Sequence, residues 1–213
     1  MRILVIASTP VYMYPSPKTP DYIKALKKAG LPFPSSDMEN ETLYLNAAGG
    51  FAKRAKDLFH GSFRKIVKGV EDARSQGIKV DFFLITPRYG IVTESDLLLP
   101  YALRLTGKSK GFLRAMSDKL RTKEIISDLL KVPYDLVVLI ANKSDLLLVH
   151  DPRKGFDISK MCKKLMVLSA PSTSKEFGDK VEFIAIRQVG GRAERFARFV
   201  DGMTSRTLKD YSQ

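Results

Sequence analysis

Arg2-Ile3-Leu4-Val5-Ile6-Ala7-Ser8 holds five apolar residues in succession, with no polar residue alternating between them. A run this short and continuous suits a strand that is covered on both faces, as in a parallel sheet flanked by helices. Working outward, Thr9 to Pro20 contains four prolines and reads as loop. Asp21 to Ala29 suits a short basic helix ended by Gly30 and Pro32, and Leu31 to Asn40 is loop again. Glu41 to Gln76 is helical but interrupted at Gly49-Gly50 and at His60-Gly61-Ser62. Beyond the second break Phe63, Ile66, Val67 and Val70 keep a helical spacing until Gly77.

Four further runs repeat the first pattern: Val80 to Thr86, Asp135 to Ala141, Leu165 to Ser169 and Val181 to Ile186. Gly111 to Leu130 reads as one helix, and a last helix follows Gly190-Gly191 with Ala193, Phe196, Ala197, Val200 and Met203 as its apolar stripe. Strands separated by helices predict an α/β fold: a mostly parallel sheet of about five strands with helices on both faces, in a single domain over 1–213.

Composition narrows the function. Cys162 is the only cysteine, and His60 and His150 are the only histidines, so neither an intrachain disulfide nor a Cys-rich metal site can form. No metal and no cofactor is expected. No apolar stretch approaches the roughly 20 residues that cross a bilayer. The run after Met1 is too short for a signal peptide, and Pro10, Tyr12 and Pro15 follow it. A cytoplasmic protein without a membrane partner is the expectation.

Lys and Arg number 36 against 23 Asp and Glu, a net charge of +13 that attracts polyanions. Three basic groups interleave with aromatics or share one helix. They are Lys53, Arg54, Lys56, Arg64 and Lys65 around Phe59 and Phe63; Arg104, Lys108, Lys110 and Arg114 around Phe112; and Arg192, Arg195 and Arg198 on the last helix. Each alone suits a solvated helix face, whereas together they predict a nucleic-acid surface.

In parallel sheets ligands sit beyond the carboxyl ends of the strands. That rule selects Ser8 and Thr9, Thr86 to Gly90, Asn142 to Asp145, and Ser169 to Pro171. Asn142-Lys143-Ser144-Asp145 after a strand resembles the guanine-specificity motif of GTPases, and Ser169-Ala170 the element that supports the same base. A P-loop is missing, however: the first strand ends in Ser8-Thr9-Pro10, and Pro100 and Arg104 spoil the strand that would precede Gly107-Lys108-Ser109. GTP hydrolysis is therefore not expected. A purine pocket at Asn142, Lys143 and Asp145 stays open, beside the plainer reading of Asn142 as a helix cap.

Ala55-x-x-Leu58-Phe59 with Phe63, then Leu84-Ile85-Thr86-Pro87-Arg88-Tyr89-Gly90-Ile91-Val92, then Pro100-Tyr101 form an ordered series of motifs. The series resembles an uncharacterised family of small α/β domains. It also resembles the core domain of archaeosine synthase, in which a strand ends T-S-P-x-G-x-V-P-x-E. Thr86-Pro87, Gly90, Val92, Glu94 and the later Leu105-Thr106-Gly107 fall into that pattern, over Ala55 to Val149. The resemblance implies a pocket for a purine or 7-deazapurine base and a transfer RNA partner. The chain departs from that family after the first strand, where its loop carries no cysteine.

On residue chemistry, Gly90 would let backbone approach a ligand, Arg88 offers a planar cation, Tyr89 and Tyr101 offer stacking faces, and Glu94 is a candidate general acid or base. Three functions are therefore expected in turn: a base-modification-type domain, a non-catalytic RNA-binding module, or a purine-nucleotide binder.

Overall fold

The computed structural model describes residues 1–203. The chain runs β1 (Arg2–Ser8), α1 (Pro20–Lys28), α2 (Glu41–Ala48), β2 (Lys53–Arg54), α3 (Ala55–Leu58), α4 (Phe63–Ser75), β3 (Lys79–Thr86), β4 (Gly90–Thr93) and β5 (Leu97–Leu98). It continues with α5 (Lys110–Lys119), α6 (Thr122–Leu129), β6 (Leu136–Ile140), α7 (Lys143–Val149), β7 (Leu165–Ser169), β8 (Glu182–Ala185) and α8 (Val189–Gly202).

Six strands form the main sheet in the order β4-β3-β1-β6-β7-β8, and only β4 is antiparallel to its neighbour. The five parallel strands, counted by chain order, lie 2-1-3-4-5, the doubly wound flavodoxin-like order. β1 sits at the centre: Ile3 faces Val80 of β3 on one side and Leu136 of β6 on the other. The chain thus leaves β1 in one direction and later returns to its opposite flank, opening a crevice at the carboxyl ends of β1 and β6.

Alternation along β1 divides its buried side chains between two cores. Ile3, Val5 and Ala7 pack with α3, α4 and α8, whereas Leu4 and Ile6 pack with α5, α6 and α7. Full burial of a side chain such as Leu4 contributes about 2–3 kcal/mol. On the first face Gly69 of α4 lets α8 come close, since a Cβ there would stand 3.0 Å from the Phe196 ring. A third, smaller cluster of Tyr22, Leu26, Tyr44, Ala48 and Leu99 joins α1 and α2.

The α/β class and the strands at β1, β3, β6, β7 and β8 match the sequence expectation. The sixth strand differs from it. Gly90 to Thr93 turns back as β4 through a turn in which the Thr86 hydroxyl donates to the Gly90 carbonyl and accepts from the Tyr89 amide, both at 3.1 Å. Gly111 to Leu130 is two helices, not one, because Arg121 adopts a left-handed φ of 49° between them. The stretch after Asn142 is a helix, and a two-stranded ribbon joins β2 to β5. Among the described residues no helix is long and apolar enough to cross a membrane.

Candidate functional site

The crevice predicted by the strand order is a cleft of about 200 Å³ lined by Thr9 from the end of β1 and by Asn142 and Asp145 from the end of β6. Its walls are mainly apolar: Pro10, Val11 and Met13 from the proline-rich loop, Phe33, Leu103 and Leu105. Lys18 and Arg104, both exposed, also line it. The loop is fixed by backbone: the His60 amide donates to the Tyr12 carbonyl (3.0 Å), and the Tyr14 amide donates to the Leu58 carbonyl (2.8 Å). Tyr12 and Tyr14 consequently hold their side chains in solvent, 72% and 69% exposed.

Three groups give the cleft its polarity. Asn142 caps α7, its Oδ1 accepting from the Ser144 and Asp145 amides at 3.0 and 2.9 Å, while its Nδ2 donates to Asp145 Oδ2 at 2.6 Å. Asp145 is 3% exposed. Burial pushes its carboxyl up to about 7, against the opposing pull of the Ser8 hydroxyl, the Asn142 amide and the Arg192 charge. Tyr101 is 2% exposed, and among the described residues its hydroxyl has no well-formed hydrogen bond, with the Thr9 hydroxyl beside it. Thr9 donates its own hydroxyl proton to the Ile85 carbonyl (3.1 Å). An orphaned hydroxyl and a buried acid near neutrality on one cleft are groups that a polar ligand could satisfy.

A smaller hollow of about 30 Å³ adjoins the cleft and shares Thr9, Pro10 and Asn142 with it. Ser8, Ser62 and Arg192 complete its lining, with Phe63, Ile66 and Ile140. Arg192 is 5% exposed, Nη1 donating to the Ala141 carbonyl (3.1 Å) and Nε to that of Ile186 (3.2 Å). Desolvation by burial weakens its hold on the proton relative to an ordinary arginine, against the pull of Asp145.

The sequence candidates therefore separate. Thr9, Tyr101, Asn142 and Asp145 meet at the cleft, and Ser8 lines the hollow beside it. Lys143 is exposed and lines neither. Thr86 belongs to the buried hairpin turn, and Gly90 packs beneath Leu120, where a Cβ would come within 3.1 Å of the Leu120 Cβ.

Arg88 offers no cation to a ligand. It is fully buried, Nη1 bonding Asp37 Oδ1 (2.5 Å) and the Ser35 carbonyl (2.7 Å), and Nη2 bonding Glu41 Oε2 (2.7 Å). Its guanidinium lies 5.2 Å from the Tyr44 ring centroid and 5.4 Å from that of Tyr89. Burial would lower its affinity for the proton, but the two carboxylates outweigh that and raise it. Burial would likewise raise Asp37, yet hydrogen bonds from Tyr44, the Ser35 amide and Arg88 hold it well below the carboxylate range.

The proposed stacking faces are also occupied. Tyr89 donates to Glu41 (2.9 Å) and accepts from the Leu99 amide (3.1 Å), and its ring packs edge-on to Tyr101. Glu94 stands away from the cleft, beside Arg2, Asp81 and Tyr134, and is held by Arg74 through both carboxylate oxygens.

Of the basic groups, Lys53, Arg54, Arg104, Lys108, Lys110, Arg195 and Arg198 are exposed. Arg64 and Lys65 are exposed but engage Asp57 (3.5 Å) and Glu194 (2.7 Å). Arg114 is clamped on the buried Asp151 at 2.8 Å. Phe59 and Phe63 are core residues, and Arg192 is buried rather than part of a solvated face. The sequence places Arg192 on a nucleic-acid surface rather than beside a pocket and does not single out the apolar wall, because burial is a tertiary property and the proline-rich loop from Pro10 to Thr19 has no periodicity to mark which side faces a ligand.

No protein-family model and no curated protein matches this chain. Among solved structures, DJ-1beta of Drosophila melanogaster aligns over 99% of this chain and 95% of its own, at 11% identity and a TM-score of 0.33.

Proposed function

We propose that the cleft holds a purine or 7-deazapurine base presented by a nucleic acid, transfer RNA foremost. The supporting observation is the conjunction at one strand-end crevice of apolar walls, the unpartnered Tyr101 hydroxyl and the buried Asp145 carboxyl. A carboxyl near neutrality can offer the edge of a base either an O–H donor or a second acceptor, and a hydroxyl adds one more directional contact. Lys18 and Arg104 on the cleft lining and the exposed Tyr12 and Tyr14 suit the phosphates and neighbouring bases of a single-stranded segment.

This reading concerns binding. Glu94, the candidate acid or base, is committed to Arg74 and takes no part in it.

Calorimetric titration with guanosine and a 7-deazaguanine nucleoside tests the pocket. Tyr101→Phe and Asp145→Asn should each weaken binding about tenfold, as expected when one buried directional hydrogen bond is lost. Absence of heat from every purine in the wild-type protein would remove the base pocket. Transfer RNA affinity should fall with salt and with Arg104→Ala, whereas Arg198→Ala should change it less. Salt dependence with no effect of Tyr101→Phe would favour the plain RNA-binding module instead.

A further inference from the structure

A buried guanidinium is stable when its charge is neutralised and its donors are filled. Arg192 meets neither condition among the described residues. Its two hydrogen bonds go to neutral carbonyls, it has no ion-pair partner, and Nη2 makes no hydrogen bond. The side chain nevertheless lines a hollow that adjoins the cleft.

What surrounds that hollow is arranged for negative charge. Ser62 precedes α4, a helix of 13 residues, and its hydroxyl caps nothing. The start of α8, a helix of 14 residues, abuts it: a Cβ on Gly190 would stand 3.8 Å from Ser62 Cβ. Two helix N-termini therefore converge beside one buried, under-used cation, and both carry positive partial charge. Ser8 and Asn142 complete the polar lining. The volume of about 30 Å³ admits roughly two water-sized groups, at about 10–15 Å³ each, which suits the outer oxygens of an oxyanion.

We propose that this hollow is a phosphoryl subsite, in which Arg192 Nη2 and the Ser62 hydroxyl donate to phosphate oxygens at the N-termini of α4 and α8. The identity of the phosphoryl bearer as the nucleotide whose base fills the cleft rests on the base-binding reading. The anion site itself does not. Free phosphate and a nucleotide share the recognised group.

The test is inorganic phosphate binding by the whole chain, read by calorimetry and by thermal shift against chloride at equal ionic strength. Wild-type protein should bind phosphate saturably and be stabilised by it. Arg192→Met should weaken that binding at least about tenfold, and Arg195→Ala and Arg198→Ala on the same helix should leave it within about twofold. Ser62→Asp places a carboxylate in the hollow and should abolish the response while the protein remains folded, so it decides the matter if Arg192→Met does not fold.

Equal phosphate binding in Arg192→Met, equal loss in Arg195→Ala, or a wild-type response in Ser62→Asp would overturn the subsite. A guanosine and guanosine monophosphate pair separates the two readings. Phosphate binding without guanosine binding sinks only the base pocket, and guanosine binding with no gain from the phosphate sinks only the subsite.

Discussion

Two arginines are buried among the described residues, and their surroundings are opposites. Arg88 is closed in by Asp37, Glu41, Tyr44 and Tyr89, and only its Nε is left without a partner. Arg192 has carbonyls alone, a half-used guanidinium and an acid, Asp145, that burial keeps from ionising readily. The first arrangement satisfies itself and holds the α1–α2 cap to the β3–β4 turn. The second leaves Nη2 without a hydrogen bond among the described residues, beside the hollow on which the proposed subsite rests. Burial alone thus does not tell a structural charge from a functional one; the inventory of its partners does.

Removing the closed arginine should have the largest effect. Arg88→Met strands two partly buried carboxylates and should cost about 3–5 kcal/mol in urea unfolding. A loss below about 1 kcal/mol would dissolve the contrast, since the clasp would then be no better satisfied than the cleft.

Acid should distinguish the two regions next, and in opposite directions. Asp145 has an ordinary value of 3.8 and sits at about 7 in the fold. Between those values the folded state binds more protons than the unfolded one. Stability is therefore fully present below about pH 4 and is lost as pH rises towards about 7, by an amount on the order of 4 kcal/mol. Asp145→Asn should remove that slope. Asp37 is depressed instead, so its contribution is present above its ordinary value and declines only as pH falls below about 4. Unfolding free energies from pH 3 to pH 8 check both signs, and a slope unchanged in Asp145→Asn would refute the assignment.

Arg192→Met should be milder than Arg88→Met, within about 2 kcal/mol of wild type in phosphate-free buffer. It surrenders two hydrogen bonds to carbonyls but also an unpaired buried charge, and the Ala141 carbonyl keeps the Ser169 hydroxyl (2.8 Å). A loss as large as that of Arg88→Met would mark Arg192 as another structural clasp. The smallest change belongs to Tyr101→Phe, which deletes a buried hydroxyl with no well-formed hydrogen bond among the described residues; its unfolding free energy should stay within about 1 kcal/mol of wild type or rise. Strong destabilisation would reveal a partner that the orphaned hydroxyl is not supposed to have.

The same contrast explains what was legible beforehand. β1, β6 and β7 are buried on both faces, so each writes its burial into consecutive residues such as Val137-Val138-Leu139-Ile140. The strand-end rule then reached Thr9, Asn142 and Asp145 without any side-chain geometry. β4 left no such trace, being four residues that follow a turn, and nothing in the residue type at Arg121 announces a left-handed kink.

Arg88 lies in a strand-end loop, which points to a small ligand, and Arg192 lies on a basic helix, which points to a nucleic-acid surface; both are buried instead. Which acid meets which base depends on bringing Asp37 and Glu41 across about 50 residues of chain to Arg88, a pairing that local spacing does not encode.

The central position of β1 carries a cost in time. It is synthesised before either of its sheet neighbours, and its flank on the β6 side is a stretch of chain 133 residues further on. At roughly 5–20 residues per second, that partner emerges on the order of ten seconds later. For that interval Ile3 to Ala7 can pair with β3 on one edge but stays open on the other, so the continuous apolar run that makes it easiest to recognise is also the part of the sheet completed late.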